Sequence, residues 1–312
     1  MKTYLVTGGA GFIGSHLVEE LIRRGERVRV LDNFLTGKRE NLMPFLGAME
    51  LVEGDIRDYE TCLRAVNGVD YVLHQAALPS VPRSIQDPQT TDSINSRGTL
   101  NILLASARSR VKRLVFASSS SVYGDEEELP MREGKEGNPL SPYAVSKLVG
   151  EKYCRLFHTL YRLPTVSLRY FNIFGPRQDP ASQYAAVIPN FITLVFQGKS
   201  PMIFGDGEQS RDFTHVANVV EANLLAAESG DPASGEAINI ACAERVTVNS
   251  LFAQIKDITG SRVQAVYEPP RPGDIRHSFA DISKAGRLIG YGPKVGFREG
   301  LNETVSWYME RS

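Results

Sequence analysis

Tyr4-Leu5-Val6-Thr7-Gly8-Gly9-Ala10-Gly11-Phe12-Ile13-Gly14 decides the fold. Four residues suited to a buried strand run into a glycine-rich turn, and the apolar spacing from Phe12 to Arg24 then predicts a helix. Gly8, Gly11 and Gly14 permit a tight turn and let a pyrophosphate approach the helix N-terminus, with Phe12 and Ile13 opening that helix. A Gly-x-Gly-x-x-Gly run alone is weak evidence. Here a second strand, Arg27 to Leu31, leads to Asp32, 18 residues beyond Gly14, where a carboxylate can accept hydrogen bonds from an adenine ribose. Asp32 also repels a 2′-phosphate, which favours NAD over NADP.

Outward from this unit the alternation continues. Strands are expected at Leu51–Glu53, Tyr71–His74, Arg113–Phe116 and Thr165–Leu168, with helices around 58–66, 92–109 and 142–161. The fold class is therefore α/β, a doubly wound parallel Rossmann sheet. Beyond Tyr170 the regularity fails at Gly175–Pro180 and Pro269–Asp274, while a helix at Val216–Glu228 and a strand at Ala237–Ile240 return to the sheet. Residues 1–168 plus about 213–241 are thus assigned to the sheet domain, and about 169–212 plus 242–312 to a smaller α/β domain of interleaved segments.

The 312 residues carry 35 Lys and Arg against 36 Asp and Glu, a net charge of −1, with no dense basic block, so nucleic acid is not an expected partner. Cys62, Cys154 and Cys242 are too scattered for a disulfide framework or a metal pattern, and no metal is expected. No run approaches the ~18 apolar residues of a spanning helix, and no secretory leader is recognisable, so a cytoplasmic, membrane-free protein is expected.

Ser141-Pro142-Tyr143-Ala144-Val145-Ser146-Lys147 reads as a helix start, with Ser141 as N-cap and Pro142 in the first turn. Tyr143 and Lys147 then share a face at i, i+4. A phenol of pKa about 10 is a poor base unaided. A cation about 4 Å away offers roughly 4 kcal/mol at an effective dielectric near 20, so Lys147 is expected to tune Tyr143. Ser118, Ser119, Ser120 and Ser121 place hydroxyls at the carboxyl end of a strand, where open α/β sheets bind ligands. In isolation a Tyr-x-x-x-Lys pair or a serine run is commonly structural.

Taken together and in this order, the glycine turn, Asp32, Ser119 and Tyr143/Lys147 resemble the extended short-chain dehydrogenase/reductase family, its nucleotide-sugar epimerases and dehydratases in particular, over nearly the whole chain. The resemblance implies that Asp55 and Ile56 flank the adenine and that Asn33, Gly37, Gln75, Ala76, Ala77, Asn95, Ser118 and Phe171 contribute to the NAD site. It implies that Ser119 and Tyr143 act on a UDP-sugar, aided by Lys147. Arg169-Tyr170-Phe171-Asn172 resembles the segment that turns from nicotinamide to substrate diphosphate. Ser80 and Val187 lie in segments similar to those of UDP-N-acetylhexosamine 4-epimerases. Arg211 and Arg271 resemble the diphosphate clamp, with Asp274 toward the ribose and Phe204 near uracil; an arginine fork suits phosphate.

Ser120 and Ser121 stand where the family's dehydratases and decarboxylases carry carboxylates, so epimerisation at C4 is the expected reaction. In it Tyr143, directly or through Ser119, removes the 4-hydroxyl proton while NAD takes the C4 hydride and later returns it. Asn172 resembles the hexose enzymes rather than the uronate enzymes. Ser278, where glucose-restricted relatives carry Tyr, implies room for a 2-acetamido group, hence UDP-GlcNAc/UDP-GalNAc together with UDP-glucose/UDP-galactose. A UDP-glucuronate 4-epimerase or UDP-sugar decarboxylase is the alternative, and a non-catalytic dinucleotide sensor a more distant one. The helices near 92–109 and 143–161 resemble those that pair in the family's homodimers.

Overall fold

The computed structural model describes residues 1–180, 187–270 and 276–311. In chain order the first unit is β1 (Thr3–Thr7), α1 (Phe12–Arg23), β2 (Arg27–Asp32), β3 (Met49–Glu53), α2 (Tyr59–Val66) and β4 (Tyr71–His74). Then come α3 (Val81–Gln86), α4 (Pro88–Asp92), α5 (Gly98–Arg108), β5 (Arg113–Ser119), α6 (Pro142–Tyr161) and β6 (Thr165–Tyr170). Short strands β7 (Ile173–Phe174), β8 (Met202–Phe204), β9 (Ser210–Arg211) and β10 (Thr214–His215) follow, with α7 (Val187–Phe196) between the first two. The chain ends with α8 (Val216–Glu228), β11 (Glu236–Ile240), β12 (Val246–Thr247), α9 (Val248–Thr259), β13 (Val266–Glu268), α10 (Ser283–Ile289) and α11 (Phe297–Met309).

Seven parallel strands form one sheet in the order β11-β6-β5-β4-β1-β2-β3. From β1 the chain winds outward to β2 and β3, then crosses back to β4 on the other side. The crevice opens at this switch, outside the carboxyl ends of the strands. Alternate side chains of β1 serve two cores. Tyr4 and Val6 pack with Leu17 and Leu21 of α1 and with Val219 and Leu224 of α8, whereas Leu5 packs on the other face with Ile102 of α5 and Phe157 of α6. Each fully buried Leu or Val stabilises the fold by roughly 1.5–3 kcal/mol.

Two local features set the site. Helix α6 starts as its sequence predicts: Ser141 Oγ accepts the Ala144 amide at 3.1 Å and Pro142 occupies the first turn. The helix expected over 92–109 is present: α4 runs without a break through one wide helical turn at Ser93–Arg97 into α5, and there the Asn95 side chain bonds the backbone of Leu78.

After β6 the chain builds a second core from α7, α9 and α11 around Phe174, Phe191, Phe252 and Phe297. Small sheets pair β8 with β13, β9 with β12 and β7 with β10. Among the described residues no helix is long and apolar enough to cross a membrane.

Candidate active site

A cleft of about 830 Å³ runs along the carboxyl ends of the strands. At one end the backbone shapes it. Gly8 adopts φ +69°, and a Cβ there would lie 2.8 Å from the Ala76 backbone. A Cβ on Gly14 would fall 2.1 Å from the Gly8 carbonyl oxygen. Gly11 caps α1 without a side-chain hydrogen bond, so the helix N-terminus faces the cleft uncovered by a side chain. Asp32 accepts the amides of Ala10 (2.9 Å) and Phe34 (2.8 Å). Burial pushes its carboxyl above the ordinary value and these amides oppose the rise. Asn33 donates to Asp55 at 2.8 Å, and Arg57 holds Asp55 down at about 2. These donors and acceptors fit a dinucleotide: amides at a helix end for a diphosphate, an acidic side chain for ribose hydroxyls, and backbone approached closely only because glycines are there.

The middle of the cleft holds Tyr143 and Lys147. Tyr143 and Lys147 lie on the same face of α6, with the Lys147 ammonium 5.9 Å from the Tyr143 ring centre. Lys147 is buried and donates to the Ala117 carbonyl at 2.7 Å. Burial brings it down to about 8, against the opposing pull of Cys154 and Glu151. Burial pushes the Tyr143 phenol up, and a hydrogen bond with Ser119 opposes this. The ammonium is committed to the Ala117 carbonyl, and burial is the leading influence on the phenol. Ser121 Oγ in turn donates to Ser119 Oγ at 3.0 Å. This arrangement can pass a proton between a ligand hydroxyl, Ser119 and Tyr143.

Of the residues singled out by sequence, Gly8, Gly11, Phe12, Ile13, Gly14, Asp32, Asn33, Gly37, Asp55, Ile56, Gln75, Ala76, Ala77, Ser80, Ser118, Tyr143, Lys147 and Tyr170 all line this cleft. Two others point elsewhere. Asn95 is buried, its amide engaged by Leu78 and Ser146, and the Phe171 ring packs with Tyr123, Met131 and Ala280. Asn172 has φ +41° and donates to the Asp212 carbonyl at 3.2 Å. Arg211 donates to the Ser210 carbonyl at 2.9 Å, and the Ser278 amide bonds that same oxygen at 3.0 Å, so residues 67 positions apart meet on one edge. Phe204 ends β8 half-buried and Val187 opens α7. Arg271 and Asp274 lie outside the described residues, as does 184–186 of the segment compared with acetylhexosamine enzymes.

Sequence reading missed Lys38 and Asn41, and named Arg177 only as part of the Gly175–Pro180 loop; all three line the cleft. Lys38 pairs with Asp179 at 3.1 Å, Asn41 donates to the Ala10 carbonyl at 2.9 Å, and Arg177 bonds His16 and Glu19. No local pattern joins positions 38 and 179. The pairing follows from the chain's return across the turn.

Fold and site define a dinucleotide-dependent enzyme of the tyrosine–lysine type. Comparison with known proteins gives the family. The sequence pattern of the NAD dependent epimerase/dehydratase family matches residues 4–241. A solved UDP-N-acetylglucosamine 4-epimerase from Methanobrevibacter ruminantium M1, in complex with UDP-N-acetylmuramic acid, is 43% identical with a TM-score of 0.95, covering 100% of this chain and 99% of that one. A UDP-glucose 4-epimerase from Thermotoga maritima, with UDP-glucose, is 41% identical with a TM-score of 0.93, covering 99% of each chain. A UDP-glucose 4-epimerase from Mycolicibacterium smegmatis is 36% identical over 316 residues, covering 100% of both. The chain belongs to the NAD dependent epimerase/dehydratase family, and its cofactor is NAD.

Proposed function

We propose that this enzyme is a UDP-sugar 4-epimerase that interconverts UDP-GlcNAc and UDP-GalNAc and also turns over UDP-glucose and UDP-galactose. The observation that carries the reading is the placing of Tyr143 and Lys147 on one face of α6 at the cofactor cleft, with Ser119 at the end of β5, combined with hydroxyls, not carboxylates, at Ser120 and Ser121. NAD, when bound, supplies a reversible acceptor for the C4 hydride. The chain supplies the rest. Tyr143 takes the 4-hydroxyl proton, directly or through Ser119, and returns it once the ketose has presented its other face. Lys147 holds a cofactor ribose hydroxyl and, while charged, favours the phenolate. Gly8, Gly11, Gly14, Asp32 and Asn33 hold the dinucleotide, and Arg211 meets the substrate diphosphate.

Breadth of substrate rests on Ser278, a small buried side chain next to the Ser210–Arg211 edge. A homodimer is proposed through α5 and α6: Val145, Leu156 and Leu160 are exposed along one flank of α6, at the spacing of a packing face. A solution mass of one chain would overturn the dimer. For the activity, pure protein is incubated with UDP-GlcNAc, UDP-glucose, UDP-glucuronate and their 4-epimers, without added NAD, and products are resolved by NMR. Epimers of the two neutral sugars are expected. Turnover confined to UDP-glucuronate, or release of carbon dioxide from it, would replace this reading with the uronate one.

A further inference from the structure

Behind the catalytic pair lies a buried charged cluster that the proposed chemistry leaves unused. Glu151 follows Lys147 by one more helical step, so positions 143, 147 and 151 align along α6. Ser118 Oγ donates to Glu151 Oε1 at 2.5 Å. Arg169, on β6 opposite Ser118, clasps the same carboxylate with Nε at 2.9 Å and Nη2 at 2.7 Å, and reaches Glu136 at 2.6 Å. Glu151 is 6% and Arg169 2% exposed. The Arg169 guanidinium lies 4.9 Å from the Tyr123 ring centre, and Tyr123 in turn donates to Asn239 at 2.7 Å. The carboxylate is thus pinned from the side away from the cleft.

A serine hydroxyl has one proton and two lone pairs. The Ser118 proton is committed to a charged acceptor, in the short geometry of a charge-assisted bond. Among the described residues, no hydrogen-bond donor reaches the Ser118 oxygen. What Ser118 offers the cleft is therefore an acceptor and nothing else, beside Tyr143 and Lys147 at its reactive end. At the hydride-accepting end of NAD the carboxamide NH2 is the only N–H donor.

We propose that Glu151 is a positioning residue: by taking the Ser118 proton it makes that hydroxyl an obligate acceptor, matched to the carboxamide NH2 of NAD, and so orients the nicotinamide against Tyr143. Arg169 and Glu136 hold Glu151 in place. This inference rests on NAD as the cofactor and is independent of which sugar is turned over, so its test uses no sugar.

Protein freed of nucleotide is titrated with NAD and with 3-acetylpyridine adenine dinucleotide, in which a methyl group replaces the NH2. The native protein is expected to bind NAD roughly three- to tenfold more tightly, the worth of one hydrogen bond. In Ser118→Ala the ratio falls to near one. It falls likewise in Glu151→Ala, which leaves Arg169 paired with Glu136, since the freed hydroxyl then donates to the carbonyl that both ligands share. The double variant Glu151→Leu/Arg169→Met, an apolar replacement of the kind buried ion pairs tolerate, repeats the measurement should Glu151→Ala fail to fold. General damage to the cleft weakens both ligands alike and leaves the ratio unchanged. Equal binding by the native protein, or the native ratio in any folded Glu151 variant, overturns the proposal.

Discussion

At the glycine-turn end of the cleft, Gly8, Gly14, Asp32 and Gly37 come from one strand–helix–strand stretch and the loop that follows it. The residues proposed to meet the sugar nucleotide, Ser119, Tyr143, Asn172, Arg211 and Ser278, come from five separate segments, and of these Tyr143 lines the cleft. The first end is a surface of backbone: a Cβ on Gly14 meets a carbonyl oxygen at 2.1 Å, and one on Gly37 meets the Ala10 Cβ at 2.8 Å. The second group is drawn together by side chains as well as backbone: the Arg211 guanidinium and the Ser278 amide share the Ser210 carbonyl. Backbone walls tolerate no added atom. Side-chain walls can be altered one at a time, so chemistry and substrate range are separable there while cofactor binding is not.

Tyr143→Phe should divide the two ends most sharply. Removing the phenol hydroxyl is expected to lower kcat by at least about 100-fold, while bound NAD per chain and the Kd for a UDP-sugar stay near native. Loss of NAD together with activity would show that the two ends are not separable. Gly14→Ala is expected to do the reverse in kind. Its Cβ forces the Gly8 turn apart, so NAD affinity should drop at least about tenfold, with a fall in Tm from overpacking that costs about 1–3 kcal/mol. Titration with NAD and a thermal melt read both.

Ser278→Tyr tests the side-chain end. The ring should reduce kcat/KM for UDP-GlcNAc by roughly 5- to 100-fold more than for UDP-glucose; equal losses would make position 278 a general support rather than a gate. The smallest effect is in pH. With Lys147 at about 8, its charge is present below that value and lost as pH rises through it. The kcat/KM of the native enzyme should therefore fall about tenfold between pH 7 and pH 9. Lys147→Arg, which stays charged, should lose this alkaline limb whatever its absolute rate. An unchanged limb would assign it to another group.

Much of this was legible in the chain. The turn from Gly8 to Gly14, the carboxylate ending β2, and the Ser141-Pro142 start of α6 are local patterns, and each lies where its spacing places it. Where a side chain points was less legible, because distant partners intervene. Asn95 lies in the helix as its period predicts, and its amide is claimed by Leu78 and Ser146. Phe171 follows Tyr170 into the family's turn segment, but its ring is drawn under Tyr123 and Met131. Glu151 shows in sequence as one more step of the 143/147 face. Its partners Arg169 and Glu136 carry no signal, since neither spacing nor residue type marks them as neighbours.

The sequence by itself determined which residues share a face and where the backbone can turn, because helix period, strand alternation, caps and glycine conformations are properties of a few neighbouring residues. Only the tertiary structure decided how those residues ionise and bond. Burial raises the Tyr143 phenol, lowers Lys147 to about 8 and lifts Asp212 to about 6, and packing of β5 and β6 against α6 gives the Ser118 proton to Glu151. The physical reason is range. Dihedral preferences act over one or two turns of chain, whereas desolvation and charge pairing depend on whatever the fold brings within a few ångströms, from any distance along the chain.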